Sequence, residues 1–348
     1  DKLGASGNVI GQYFDFGHNY NATSRSMMYA FMADRLKLGP NVSIEERDFQ
    51  PLTREEASVW DEGHPKPPID DKSEIRLLAL LDADSQAKLD ELSPVDAASL
   101  SEFRRVVGGA IETMVGRSLP EPGDVTSSQK RVNDRGDWLE STTILRFSSR
   151  GESVPTIFLY PKDYLGRVVL WIDKAGKSAM FDSIGQPITP VRRLIDQGIA
   201  VVGCDLFGQG DWINSDNPFT QSRTVENTRE FLGYTLGYNH PLFAQRVHDI
   251  LTVLAYIRHH DFSPGRVDVV APGGAARWAA AAGAVVGHAL NAMALGTAGF
   301  RFRTITDIRD TDLWPGAVKY GDLPTLLALC ATKRLWLSGE GAQLPTVV

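Results

Sequence analysis

The sequence has few cysteines, no long apolar run free of polar groups and no excess of basic residues. Two cysteines occur in 348 residues, Cys204 and Cys330, and each stands inside an apolar run. These positions favour buried free thiols over a disulfide and say little about the cellular compartment. The longest stretch of small apolar residues, 278–296, contains His288 and Asn291 and is a poor membrane span.

The charge balance is acidic, and this limits the partners that the chain is expected to bind. A net charge of -7 argues against nucleic acid and against anionic membranes. With 43% hydrophobic and 23% charged residues, the composition is typical of a globular protein with about two domains or one large one. The chain begins DKLGASGN, without Met or a signal segment, so we expect a trimmed, processed or partial chain from which any export signal is gone.

The first part of the chain contains one predicted strand and one predicted helix. Asn8–Phe16 alternates well enough for a strand, and the loop GHNYN separates it from a helix over Ser24–Lys37 that Ser24 is expected to cap. Met28, Phe31, Met32 and Leu36 share one face of that helix. Residues 39–71 are Pro-rich and charged, as in a linker.

Two further predicted helices and a second linker follow. Helical spacing extends over 73–92, with Leu77, Leu78 and Leu81, and over 94–115, with Phe103, Val106, Val107 and Ile111. Residues 120–137 are polar and rich in turn formers, which predicts a linker.

From residue 138 the pattern changes to short apolar runs separated by helical stretches. The seven strand candidates are STTILRF, PTIFLY, RVVLWI, IAVVGCD, RVDVVA, LNAMALG and KRLWLSG. The later ones are continuous Val/Ile/Leu runs, as in a parallel sheet covered on both faces. Helices over 190–197 and 241–259 fit between them. The sequence therefore predicts an α/β fold with a mostly parallel sheet and helices on both faces, preceded by a helical connector.

The stretch VDVVAPGGAARWAA combines a strand, a tight glycine turn and a helix of small residues. This is the layout of a nucleophile elbow, with Ala271-Pro272-Gly273-Gly274-Ala275 in the place of G-x-S-x-G. Together with VLWIDKAGK, CDLFGQGDW, YTLGYNHPLFAQRVHDILTVLAYIR and LWLSGEG, it resembles α/β-hydrolases of the acetylxylan-esterase-like kind from carbohydrate-degrading bacteria. The resemblance covers about residues 138–341.

The N-terminal stretch FDFGHNYNATSRSMMYAFMADRLKLG resembles the end of such a hydrolase domain. The resemblance implies a tandem protein in which 1–38 is the terminal strand, His loop and helix of a module, 39–137 a linker and helical connector, and 138–348 an α/β-hydrolase-like module. It further implies a secreted or periplasmic location, an upstream hydrolase module as partner, and a carbohydrate or acylated sugar as ligand. We also expect Asn8–Phe16 to pair beside Leu335–Leu337.

The resemblance assigns a role to each expected site residue. His18 would be the proton shuttle and Glu340 the acid that orients it, although a solvated loop His and a surface Glu are the simpler interpretations. Asp173 and Lys174 stand where the family carries its oxyanion loop, and an acidic side chain there would oppose developing negative charge. His18 is expected close to Glu340 and to Gly273, with the nucleophile absent.

Gly273 occupies the position of the serine, and glycine cannot attack a carbonyl. One interpretation is a strand-to-helix turn that has survived the loss of catalysis. Another is that the amides of Gly273, Gly274 and Ala275 at a helix N-terminus bind a carboxylate or phosphate. Two classes of function follow: a carbohydrate ester hydrolase, and a non-catalytic module that binds a glycan or a partner domain.

No cofactor or metal is expected from the motifs. G-x-G-x-x-G is missing, and the AGKS run at 175–178 fails as a phosphate loop because Trp171 stands where Gly is required. His248, His259 and His260 lie near one helix without the cysteine or carboxylate spacing of a metal site.

Overall fold

The computed structural model describes residues 4–39, 44–213, 219–223, 225, 232–260, 264–331 and 334–341. The chain divides into two compact units, residues 1–70 and 71–348. The end of the predicted 138–348 module, residues 342–348, lies outside the described residues. Within the described parts of the chain, no helix is both long and apolar enough to cross a membrane.

The first unit contains helix α1, Ala22–Arg35. Its cap is Asn21, whose side chain accepts hydrogen bonds from the amides of Thr23 at 3.0 Å and Ser24 at 3.2 Å. The prediction of this helix is confirmed, but its N-cap is Asn21 because Ser24 already lies in the first turn.

The strand predicted over Asn8–Phe16 is wrong. Ser6–Asn8 forms a 3₁₀ turn, and the residues from Val9 to Phe16 adopt no regular structure. The eight strands described in the sheet all lie between residues 125 and 338. The placement of Asn8–Phe16 beside Leu335–Leu337 stays a prediction. An alternating pattern forms a strand only where a neighbouring strand satisfies its backbone groups, and the described part of the first unit supplies none.

The second unit begins with the helices expected to form a connector. Its helices are α2 (Ser73–Glu91), α3 (Ala97–Phe103), α4 (Gly109–Val115), α5 (Thr189–Asp196), α6 (Leu232–Leu236), α7 (Leu242–His259), α8 (Ala276–Val286) and α9 (Asp322–Cys330). A π-helical turn, Arg104–Gly108, joins α3 to α4. Phe103, Val107 and Ile111 are buried in the main core. The division into a linker and connector over 39–137 and a module over 138–348 stays a prediction. In α2 no residue is buried, and Leu77 is 55% exposed.

Over the described residues the sheet has eight strands, in the order β1-β2-β3-β5-β4-β6-β7-β8. They are β1 (Val125–Asp134), β2 (Trp138–Phe147), β3 (Glu152–Pro161), β4 (Arg167–Trp171), β5 (Ile199–Cys204), β6 (Arg266–Ala271), β7 (Ala292–Gly296) and β8 (Arg334–Ser338). Pairing is antiparallel from β1 through β3 to β5 and parallel from β5 to β8. All seven predicted strands are present as β2–β8.

Helices cover both faces of the sheet. On one face α4, α7, α8 and α9 supply the larger core, which includes Phe243 and Trp278. On the other face Val191 and Ile195 of α5 share a smaller core with Trp171. The described fold is therefore the predicted α/β class, and the carboxyl ends of β4, β6 and β7 lie side by side at one edge of the sheet.

Candidate functional site

The turn between β6 and α8 has the predicted strand–turn–helix geometry. Gly273 and Gly274 have φ values of +31° and +62°, a left-handed backbone that favours glycine. A side chain at Gly296 of β7 would place its Cβ 2.8 Å from the amide nitrogen of Gly273. The neighbouring strand can therefore approach this turn only because Gly296 has no side chain.

The position expected for a nucleophile is open. A Cβ built on Gly273 meets nothing within 4 Å, so a side chain has space even though its backbone would be strained. The amide of Ala275 donates to the carbonyl of Gly273 at 2.6 Å. The expectation of three free amides is therefore wrong for Ala275, whose N–H closes the turn.

The loop after β4 places Lys174 against this turn. A Cβ at Gly274 would lie 3.2 Å from Cδ of Lys174. The carboxylate of Asp173 accepts from the amide of Ala175 at 3.0 Å, and Gln209 donates to the carbonyls of Asp173 and Lys174 at 3.2 and 2.9 Å. The side chain of Lys174 therefore lies next to the glycine turn, whereas the carboxylate of Asp173 is used within its own loop.

Asp205, which follows β5, is a buried structural carboxylate. It accepts from the amides of Lys177 and Asp211, each at 2.9 Å, and pairs with the ammonium of Lys177. The last three residues of the AGKS segment lie in the 3₁₀ turn Gly176–Met180, which contains Lys177 of this pair. The ammonium of this lysine is paired with Asp205 and is therefore not free to bind a phosphate, as a phosphate loop would require.

A cluster that the sequence analysis missed lies at the first turn of α8. Arg277 is only 9% exposed, lies over the ring of Phe300 at 4.1 Å and approaches Asp312 at 3.2 Å. The indole of Trp278 donates to the same carboxylate at 2.7 Å, and Arg246 lies 3.9 Å from it. The signal was an arginine inside the otherwise apolar helix AARWAAAAG, because a charge in such a helix is buried and needs partners.

A polar cleft of about 450 Å³ opens beside the glycine turn. Lys174 after β4, Arg277 after β6, Phe300 after β7 and the loop 304–312 line it. In α/β proteins, ligands bind at the carboxyl ends of parallel strands, which is the location of this cleft. It is the candidate site.

Glu340 follows β8, as predicted for an orienting acid, but Arg301 holds it. The guanidinium donates to both carboxylate oxygens, at 3.2 and 2.5 Å, and the side chain of Glu340 is 3% exposed. This pairing lowers the pKa of Glu340 below its usual range. The interpretation as a surface Glu is therefore wrong, and a role toward a histidine stays a prediction.

The histidines have different surroundings. His18 is exposed in a bend before α1, and within the described part of the first unit its ring has no hydrogen-bond partner. Its proximity to Gly273 and Glu340 stays a prediction. His248 is buried in α7, 2.6 Å from the carbonyl of Val115, and burial lowers its pKa to about 4. It is a packed histidine.

Comparisons with known proteins identify the fold. No protein-family profile matches the chain, and no curated protein does. A candidate acetyl xylan esterase from Bacteroides fragilis aligns with a TM-score of 0.56 and 13% identity, over 80% of this chain and 76% of its own. The chain has an α/β-hydrolase fold.

Two further solved structures align less well. A glucuronoyl esterase from Solibacter usitatus has a TM-score of 0.49 and 15% identity, over 70% of this chain and 75% of its own. A promiscuous esterase from a marine bacterial metagenome has a TM-score of 0.49 and 11% identity, over 70% of this chain and 74% of its own.

Proposed function

We propose that the second unit is a carbohydrate-esterase-like α/β-hydrolase module that does not hydrolyse esters by itself. The observation that carries the proposal is Gly273, which stands at the apex of the elbow without an attacking atom although a side chain there would have space. An acyl-enzyme requires a hydroxyl, thiol or carboxylate at that point. The similarity to a candidate acetyl xylan esterase supports acylated carbohydrate as the ligand class.

The other groups of the expected site support the same conclusion. A triad enzyme that lacks its nucleophile keeps only the effects of substrate binding and oxyanion donors. Glu340 is held by Arg301 through both oxygens, so it is engaged without any histidine. Of the three turn amides, that of Ala275 is already used within the turn.

Hydrolysis of p-nitrophenyl acetate and of acetylated xylan by the full chain tests the proposal. We expect rates equal to the buffer background and no labelling by a fluorophosphonate probe. The matched variants are His18→Ala, and His288→Ala as a control at another exposed histidine. Turnover that His18→Ala abolishes and His288→Ala preserves would mean that a nucleophile stands elsewhere and would overturn the proposal.

The second candidate function is a module that binds a glycan. The observation that favours it is the polar cleft next to the glycine turn, where charged and hydroxyl side chains converge beside an aromatic ring. Affinity electrophoresis of the chain in gels that contain soluble xylan tests it. Migration that is slower than in gels without xylan would support binding, and unchanged migration would count against it.

A further inference from the structure

Arg277 is a buried cation whose hydrogen-bonding capacity is only partly used. Its Nε is shielded from solvent and has no hydrogen-bond partner among the described residues. The facing carboxylate of Asp312, 3.2 Å away, also accepts from Trp278 and lies 3.9 Å from Arg246. Two buried guanidiniums thus share one carboxylate. Burial also lowers the pKa of Arg246, as expected where a cation is not fully compensated.

The orientation of Arg277 suits a planar anion. Phe300 lies 4.1 Å from the guanidinium carbon and fixes the plane of the group. A Cβ at Gly274 would lie 3.7 Å from Nη2 of Arg277 and 3.2 Å from Cδ of Lys174, so both cations flank the glycine turn. A fixed guanidinium fork matches the two oxygens of a carboxylate, and such charge-assisted pairs are among the stronger hydrogen bonds.

The other charged groups of the cleft belong to one loop. Asp307 accepts from the amide of Arg309, and Asp310 accepts from the amide of Asp312, each at 2.8 Å. These carboxylates therefore cap their own loop. Arg309 adds a third cation to the lining. Among the described residues, the lining thus holds three cations and three carboxylates, and of these carboxylates only Asp312 faces Arg277.

From these contacts we infer that the cleft binds the carboxylate group of a small ligand, with Arg277 as the fork and Lys174 beside it. The inference rests on the proposed function, because a cleft without a nucleophile is free to retain such a ligand. Two sources supply this chemistry: the acyl carboxylate that ester hydrolysis releases, and the carboxylate of an acidic sugar.

Titration of the full chain with sodium acetate, D-galacturonate, neutral D-galactose and inorganic phosphate at constant ionic strength tests the inference. The readouts are calorimetry and the NMR resonance of the Trp278 indole N–H, which bonds to Asp312. We expect a carboxylate to bind, to shift this resonance, and to lose about 10- to 100-fold in affinity in Arg277→Met, since the charged hydrogen bonds are lost. Arg266→Met, which removes an arginine paired with Asp268 at the other end of β6, is the matched control.

Each outcome decides the question. Binding of acetate as tight as that of galacturonate identifies the acyl source, and tighter binding of galacturonate identifies the acidic sugar. Three results would overturn the inference. Galactose could bind as well as galacturonate, phosphate could bind more tightly than both carboxylates, or Arg277→Met could keep full affinity. If Arg277→Met does not fold, Arg277→Lys keeps the charge without the fork, and undiminished affinity would again overturn it. Ester turnover by the wild-type chain would refute the proposed function. The measured affinities would still decide whether the cleft binds a carboxylate.

Discussion

The indole of Trp278 donates to the carboxylate of Asp312 at 2.7 Å, and this bond ties the first turn of α8 to the loop along the cleft. The same carboxylate faces the guanidiniums of Arg277 and Arg246. The side chain of Asp312 therefore has two roles: it holds α8 to the neighbouring loop, and it pairs with the arginines at the candidate site.

Replacing Asp312 with Asn should destabilise the fold. Asn can still accept from Trp278, but two buried guanidiniums lose their counter-charge, and we expect a loss of about 3–5 kcal/mol in the free energy of unfolding. Urea denaturation followed by tryptophan fluorescence measures it. Asp307→Asn, an exposed change in the same loop, is the control, with an expected effect within about 0.5 kcal/mol. Equal effects of the two substitutions would contradict this role of Asp312.

The pair between Arg301 and Glu340 should make stability depend on pH. The pKa of Glu340 is lower in the folded chain than its usual 4.5, so the pair contributes fully above that value and is lost as pH falls through the folded-state pKa. Glu340→Gln should therefore melt at a lower temperature than wild type at pH 7, and the difference should shrink toward pH 3. A melting difference that is constant between pH 3 and 7 would argue against this linkage.

A serine at Gly273 should fold without creating an esterase. Its positive φ would cost about 1–3 kcal/mol in strain, although the Cβ has space. We expect less than about a tenfold gain over background in p-nitrophenyl acetate hydrolysis, because a nucleophile without its base and acid keeps little of the triad's effect. Gly273→Ala carries the same strain without the hydroxyl. A large rate gain in the serine variant alone would mean that a complete triad assembles around it.

The two thiols should be unreactive in the folded chain. Cys204 and Cys330 are buried and free, and burial raises the pKa of Cys330 to about 12 and that of Cys204 above its usual range. At pH 8 we expect no reaction with Ellman's reagent in buffer and two thiols per chain in 6 M guanidinium, since only thiolates react. Rapid modification of either thiol in buffer would show that its site opens to solvent.

The sequence predicts those parts of the fold in which burial determines the pattern. The strands β2–β8 read as apolar runs because the sheet buries them, as in β5, where all six residues are buried. The strand β1 was read as part of a polar linker, because it pairs with β2 alone and few of its side chains reach the core. The strand predicted over Asn8–Phe16 failed for the opposite reason, because the described part of the first unit has no neighbouring strand with which this alternating segment could pair.

The candidate site was predicted where it depends on local geometry. The glycine turn and the placement of Lys174 next to it follow from one motif and one strand end. The Arg277–Asp312 pair joins segments 35 positions apart in the numbering, and no local pattern connects them. The expectation that Glu340 follows the last strand was right, but its partner Arg301 comes from the loop after β7, which the motif does not include.

The strand order also has a consequence for how the chain folds. The hairpin of β1 and β2 pairs residues close in sequence, such as Ser128 with Ile144. The parallel pair of β4 and β6 joins Arg167 to Arg266 across about a hundred residues of chain, so its loop-closure entropy must be overcome before any contact is gained. The antiparallel strands can therefore pair before the parallel strands, whose carboxyl ends carry the cleft, have found their native register. The end of the sheet that carries the candidate site is the part whose assembly is expected to limit the folding rate.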